Sequence, residues 1–245
     1  ELEKTRKRLE KLGYGPEILT IRQMNFADID KIAEEAGPFD FVLADLGVSS
    51  MQIYNPDRGF SYKTEGPLDL RLNPEKGVSA AERLRTITRQ ELQGMLMENS
   101  DEPHADVIAR AFVSKIKKGT ASDTTTKLRE VIEEALEFLP EHEKKEAVKK
   151  TCQRTFQALR IDVNSEFEVL YEFLEKLPNV LAKGGRAAIL TFHSGEDRLV
   201  KKSFKRLLRE GVYQEISTDV IRPSAEECRM NSRARSTKMR WAIKE

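Results

Sequence analysis

Across 245 residues the chain holds only two cysteines and three histidines. Cys152 and Cys228 cannot supply a disulfide framework or a four-cysteine zinc site, and such sparing use of thiols fits a reducing cytosol. His104, His142 and His193 stand far apart, which leaves no sequence spacing for a metal centre. Long apolar runs are missing as well. No stretch approaches the roughly 20 residues that cross a bilayer, so a transmembrane helix is excluded. The charged start Glu1-Leu2-Glu3-Lys4 has none of the apolar core of a secretory signal. A glycine-rich phosphate loop is also absent, since Gly13-Tyr14-Gly15 reads as the cap of a preceding helix. Net charge is nearly absent too, with 42 Lys and Arg against 41 Asp and Glu.

What is present describes a globular chain. With 39% hydrophobic and 34% charged residues, it is neither disordered nor fibrous, and its length suits one large domain or a domain with an insertion. The charge balance is an average over unlike parts. Residues 198–245 carry 13 basic and six acidic side chains, and the preceding 197 carry 29 and 35. A basic C-terminal fifth on an acidic body keeps a polyanionic ligand in play.

Residues 1–12 space Leu2, Leu9 and Leu12 as a surface helix. Ile18 to Ile21 reads as a short β-branched strand, and Asp28 as the cap of a helix carrying Ile29, Ile32 and Ala33. Phe39 to Asp45 is mostly apolar and closes on an acid, the pattern of a parallel strand buried on both faces. Strand, helix and strand within 45 residues predict an α/β fold. Residues 46–78 turn rich in Gly, Pro, Asn and Ser, a long aperiodic connection of the kind that carries function or leads into an insert. Only helical patterns follow from Ser79 to about Lys150: Thr88 caps one helix, Pro103 opens a second and Thr126 starts a third. A helix over 156–177, a Gly184-Gly185 turn with a buried strand ending at Thr191, a cationic helix over 196–209 and strands over 211–220 and 237–243 complete the chain.

Chemistry concentrates at strand ends. Asp45 stands where open α/β sheets bind ligands, followed by a turn in which Ser49 and Ser50 offer hydroxyls and N–H groups. On position alone a turn-capping role weighs equally. His193 follows the next buried strand and is favoured as a site-lining residue over a packing one. A hydrolase joining Ser194 or Ser49 to His193 and Asp197 is disfavoured, because the G-x-S-x-G elbow is missing. Basic residues gather in three places: Arg154 with Arg160, the helix from Arg198 to Arg209, and an arginine-rich stretch that includes Arg233 and Arg235. The helix is a solvated face by default. The arginine-rich stretch suits bidentate phosphate contacts.

Taken in order, many segments resemble one family, the bacterial-type small-subunit ribosomal RNA (cytosine-N4)-methyltransferase H family, also called MraW. They run from Asp45-Leu46-Gly47-Val48-Ser49-Ser50 with Gln52, through Asp57-Arg58-Gly59-Phe60-Ser61, Gly66-Pro67-Leu68-Asp69-Leu70-Arg71 and Ser79-Ala80-Ala81-Glu82. Ile108-Ala109-Arg110-Ala111, Arg154 to Ile161 and Asn164-Ser165-Glu166 follow. The last are Leu181 to Arg186, Phe192-His193-Ser194, Glu196-Asp197-Arg198 and Asn231 to Ser236. Each is weak alone, but the ordered set covers nearly the whole chain and is specific.

The resemblance implies a class I, Rossmann-like methyltransferase sheet domain interrupted by an all-helical insert, divided as 1–66, 67–150 and 151–245. It implies S-adenosylmethionine as donor and the exocyclic amine of a cytidine in small-subunit rRNA, or a 30S-type particle, as acceptor. It further implies a cytoplasmic location with no membrane or metal, and a homodimer is compatible with it. Phe26, Asp45 and Gln52 match the family's cofactor-contacting positions. Asp45, Ser49 and His193 are the expected catalytic group, with Asp45 taking up the amine proton during direct transfer. Arg154, Arg160, Arg198, Arg233 and Arg235 are the expected RNA contacts.

The chain departs from the family in two ways. The family's Gly-rich first loop and ribose-binding acid are expected ahead of this segment, so the chain is expected to begin after the first strand–loop–helix unit. Gly195 also stands where a larger apolar residue is usual. The first departure favours a rival, a non-catalytic RNA- or ribosome-binding protein on a truncated methyltransferase fold.

Overall fold

The computed structural model describes residues 2–119 and 123–245. Helix α1 (Leu2–Glu10) is followed by a 3-10 turn at Phe26–Asp28, α2 (Ile29–Ala36), strand β1 (Phe39–Asp45) and the short α3 (Ser50–Tyr54). Helices α4 (Ala80–Thr86), α5 (Arg89–Ser100), α6 (Ala105–Lys117), α7 (Thr125–Ala135), α8 (Glu141–Asn164) and α9 (Glu166–Val180) come next. The chain then returns to the sheet through β2 (Leu181–Thr191), α10 (Ser194–Arg209), β3 (Tyr213–Ile216), α11 (Ala225–Met230) and β4 (Lys238–Lys244). No helix among the described residues is long and apolar enough to cross a membrane.

The fold is mixed α/β, on a four-stranded sheet in the order β1-β2-β4-β3. β1 runs parallel to β2, with Asp45 opposite Leu190, and β4 is antiparallel to both β2 and β3. Two hydrophobic cores form. Leu68, Leu96, Phe112, Ile132 and Leu159 belong to a helical core, whereas Leu170, Phe173, Ile189, Phe204 and Tyr213 pack helices against the sheet. Each such buried side chain contributes about 1.5–3 kcal/mol. At the entrance to the helical core the two ends of residues 66–125 are tied together, with the Leu68 N–H donating to Asp123 O and the Thr125 N–H to Gly66 O.

Local signals hold where capping chemistry is explicit. Ser79 with Glu82, and Thr88 with Glu91, form reciprocal capping boxes on α4 and α5. Elsewhere the structure corrects the sequence reading. Residues 18–21 pair with no described strand and are irregular. β1, expected to be buried on both faces, is the edge of the described sheet and leaves Phe41 and Leu43 each 57% exposed on the cavity side. Asp28 makes no side-chain cap bond, and Asn25 caps the preceding 3-10 turn instead. The α7 cap is Thr124 rather than Thr126, and the helix expected from Pro103 starts at Ala105. The helix expected over 156–177 is two, broken at Ser165, which takes φ 48°.

Candidate active site

Parallel pairing brings the C-terminal ends of β1 and β2 side by side, and both strands release their loops at that end. Asp45 closes β1. Gly47 turns the chain away at φ +93°, and a Cβ there would lie 3.4 Å from the Phe192 ring. The left-handed backbone beside an aromatic wall is the reason for glycine at this position. Ser49 and Gln52 then cap α3 reciprocally: the Ser49 N–H donates to Gln52 Oε1 at 2.9 Å and the Gln52 N–H to Ser49 Oγ at 3.3 Å.

Next to these strand ends lies a cavity of about 1190 Å³. Phe26, Asp45 and Gly47 line it together with Asn164, Glu166 and Glu196. Phe26 is held edge-on to Phe173, with ring centroids 5.3 Å apart, and remains 41% exposed. It thus offers a positioned aromatic face. Asp45 is exposed and forms no hydrogen bond or ion pair among the described residues, so its carboxylate is a free acceptor at the cavity.

His193 caps α10, its Nδ1 accepting the Glu196 N–H at 3.5 Å, which leaves the proton on Nε2. That Nε2 is buried, 3.3 Å from Glu196 Oε1. Glu196 Oε2 accepts the Phe192 N–H at 2.8 Å. Burial pushes the Glu196 carboxyl up. His193, the Phe192 N–H and Arg160 together outweigh that and hold it below the usual carboxylate range. Glu166 accepts two bonds from Arg160, at 2.7 and 2.9 Å. Glu166, His193 and Glu196 place one ligand atom each within 4.8 Å of one another. A guanidinium already covers both Glu166 oxygens, however, and the His193 nitrogen nearest Glu196 carries hydrogen. The donor chemistry is that of a hydrogen-bonded cluster, poorly suited to a cation.

The sequence-predicted residues are therefore distributed as follows. Phe26 and Asp45 share the cavity. Ser49 and Gln52 stand on the turn after β1 with their side chains engaged in capping, and His193 lies behind Glu196. Arg160 is committed to Glu166, and Arg198 is 62% exposed and bound to Asp101 Oδ2 at 2.8 Å. Arg154 is 38% exposed, 3.8 Å from the buried Glu102. The Arg233 guanidinium lies over the Tyr54 ring, 4.9 Å from its centroid, and donates to Ser50 Oγ and Tyr54 Oη. Arg235 is exposed with no partner among the described residues.

The hydrolase arrangement is broken by this geometry. Ser194 Oγ faces Asp101, 3.4 Å away, and Asp197 is held by Arg240 at 2.7 Å. Gly195 has a steric cause, since a Cβ there would come 2.5 Å from Phe167 Cζ. Phe167, tilted against His193 at 5.9 Å, fills the space that a larger residue 195 would take. Asn164, Glu166 and Glu196 carried no role in the sequence reading. They stood inside recognisable motifs, but only the fold turns them toward the cavity.

A parallel strand pair ending in an unpaired acid beside a wide cavity is the arrangement of a Rossmann-like α/β protein. The chain matches the MraW methylase family over residues 1–245. It is 75% identical over 244 residues to the ribosomal RNA small subunit methyltransferase H 1 of Lachnoclostridium phytofermentans, covering 100% of this chain and 67% of that protein. It is 68% identical over 244 residues to the methyltransferase H 2 of Alkaliphilus metalliredigens, covering 70% of that protein. The Fusobacterium nucleatum methyltransferase H is 38% identical over 256 residues, spanning 98% of this chain and 78% of that protein. The chain belongs to the MraW methylase family and is a methyltransferase.

Proposed function

We propose that this protein methylates the exocyclic N4 amine of a cytidine in small-subunit ribosomal RNA, using S-adenosylmethionine. The names of its relatives support the rRNA substrate. The observation that carries the chemistry is Asp45, an unpaired carboxylate at the end of β1 on a cavity roomy enough for a donor and a flipped base. The residues present suit the donor: Phe26 offers a face for a purine ring, and Gly47 allows close backbone approach. When bound, S-adenosylmethionine supplies an electrophilic methyl group.

A cytosine amine is delocalised into its ring and is a poor nucleophile, so orientation and proton removal decide the rate. Asp45 accepts a hydrogen bond from the amine, fixes its direction and takes up its proton. The Ser49 hydroxyl, oriented by its cap bond on the turn after β1, and His193, which steadies the cavity-lining Glu196 from behind, act beside the cavity rather than in its wall. Covalent attack on the ring has no support from the thiols, because Cys152 is buried in the helical core and neither Cys152 nor Cys228 lines the cavity. The RNA backbone is met by the basic C-terminal fifth, where Arg235 is free to bind phosphate. This reading carries a cytoplasmic location with it.

The test is Asp45→Ala in the full-length protein, with methylated cytidine in the rRNA quantified by mass spectrometry. Methyl transfer should fall by at least 100-fold, the scale of a lost positioned acid or base, with the unfolding midpoint unchanged. Turnover near that of the wild type refutes the role of Asp45. Wild-type protein that binds rRNA without methylating it supports the non-catalytic alternative.

A further inference from the structure

Leu72, Asn73, Lys76 and Gly77 form a second stretch of cavity wall, on a segment with no helix or strand of its own. Such a wall is useful in catalysis only if something holds it rigid. Within this segment Leu70 takes φ +63° while only 1% exposed. A left-handed conformation costs a branched side chain about 1–2 kcal/mol and persists only where its surroundings over-determine it.

The over-determination is visible atom by atom. The Leu70 N–H donates to Arg58 O at 3.1 Å. Asn164 Nδ2 donates to Leu70 O at 2.7 Å and to Arg160 O at 2.8 Å, and Asn164 Oδ1 accepts the Leu72 N–H at 2.7 Å. Both amide hydrogens and the carbonyl oxygen of Asn164 are therefore used. Arg58 Nη2 adds bonds to Arg71 O at 2.6 Å and to Leu72 O at 3.0 Å. Asn164 is the last residue of α8 and itself lines the cavity. It pins the loop at the point where helix and loop meet the reacting space.

We infer that Asn164 is a positioning residue for methyl transfer: it locks residues 70–72 so that Leu72 and Asn73 form a fixed wall that orients the acceptor base. The inference rests on the proposed methyltransferase reaction at this cavity. Only a carboxamide supplies two donors and one acceptor here. Asn164→Asp keeps the shape and the acceptor but sets a carboxylate against two carbonyl oxygens. Asn164→Ala removes all three bonds.

The experiment compares wild type, Asn164→Asp, Asn164→Ala and Asp162→Asn in the full-length protein. Asp162 lies two residues earlier on α8, bonded to Arg83 Nε at 3.0 Å and outside the cavity wall, so its variant controls for lost stability alone. Steady-state methyl transfer gives kcat and KM for rRNA and for S-adenosylmethionine, and thermal unfolding gives the midpoint. Both Asn164 variants should lose 10- to 100-fold in kcat, the scale of a misplacement of about 1 Å, with the donor KM within threefold of wild type. Asp162→Asn should lower the midpoint and leave kcat unchanged. The inference is overturned if Asn164→Asp keeps kcat within threefold, or if Asp162→Asn loses kcat in proportion to its midpoint. If Asn164→Ala does not fold, Asn164→Asp decides. A wild type that transfers no methyl group refutes the proposed reaction, and this inference with it.

Discussion

Arg160 offers the sharpest test of how the cavity wall is held together. Its guanidinium occupies both Glu166 oxygens at 2.7 and 2.9 Å, and the two side chains are only 14% and 13% exposed. Glu196, 5% exposed, brings an oxygen within 4.8 Å of Glu166. Arg160→Met keeps the stem volume and removes the cation. Two carboxylates at that separation repel by about 3 kcal/mol at an effective dielectric of about 20. Removing one partner of a buried ion pair costs about 3–5 kcal/mol on general grounds. These figures describe one loss, so the expected destabilisation at pH 7 is about 3 kcal/mol and not their sum.

The pH dependence of that loss has a definite sign. In the folded wild type the Glu196 carboxyl is held below its ordinary value, in part by Arg160. Its contribution to stability is therefore full above the unfolded carboxylate range and is lost as pH falls through the folded value. Without Arg160 the carboxyl protonates more readily, so the deficit is largest at neutral pH and shrinks toward pH 4. Urea unfolding of wild type and Arg160→Met at pH 7 and pH 4.5, followed by circular dichroism, measures both quantities. A loss below 1 kcal/mol, or an equal loss at the two pH values, refutes this account. Unchanged stability with weaker, less salt-dependent RNA binding would instead return Arg160 to phosphate contact.

Two further outcomes follow from the same geometry. Burial pushes the Cys152 thiol up to about 12, so a thiol reagent at pH 8 should label Cys228 alone in the native protein and both cysteines in urea; equal native labelling of Cys152 contradicts its burial. Arg235→Ala should reduce the slope of log affinity for RNA against log salt by about 0.7–0.9, the change expected for one lost phosphate contact. An unchanged slope makes Arg235 an ordinary solvated side chain.

The sequence speaks most clearly where chemistry is local. Phe39 to Asp45 announces a strand by its apolar run, but not that one face stays open, since Phe41 and Leu43 are each 57% exposed on the cavity side of an edge strand. Thr88 announces a helix start, and the glutamate three residues on completes its cap. The reading fails where structure depends on distant partners. Ile18 to Ile21 has the composition of a strand, yet β propensity records fit to a pleated surface, and no described strand lies beside it. The break at Ser165 carries no Gly or Pro; its only local mark is Ser165 with Glu168 three residues on, a capping pattern whose side-chain bond does not form. That break has the largest structural consequence. It folds Glu166 back onto Arg160 and leaves Asn164 at a helix end, where its amide reaches Leu70 and Leu72 more than 90 residues away in sequence. Arg160, expected as an RNA contact, is bound to Glu166 of the cavity wall, while Asn164, neutral and polar, holds the loop beside it.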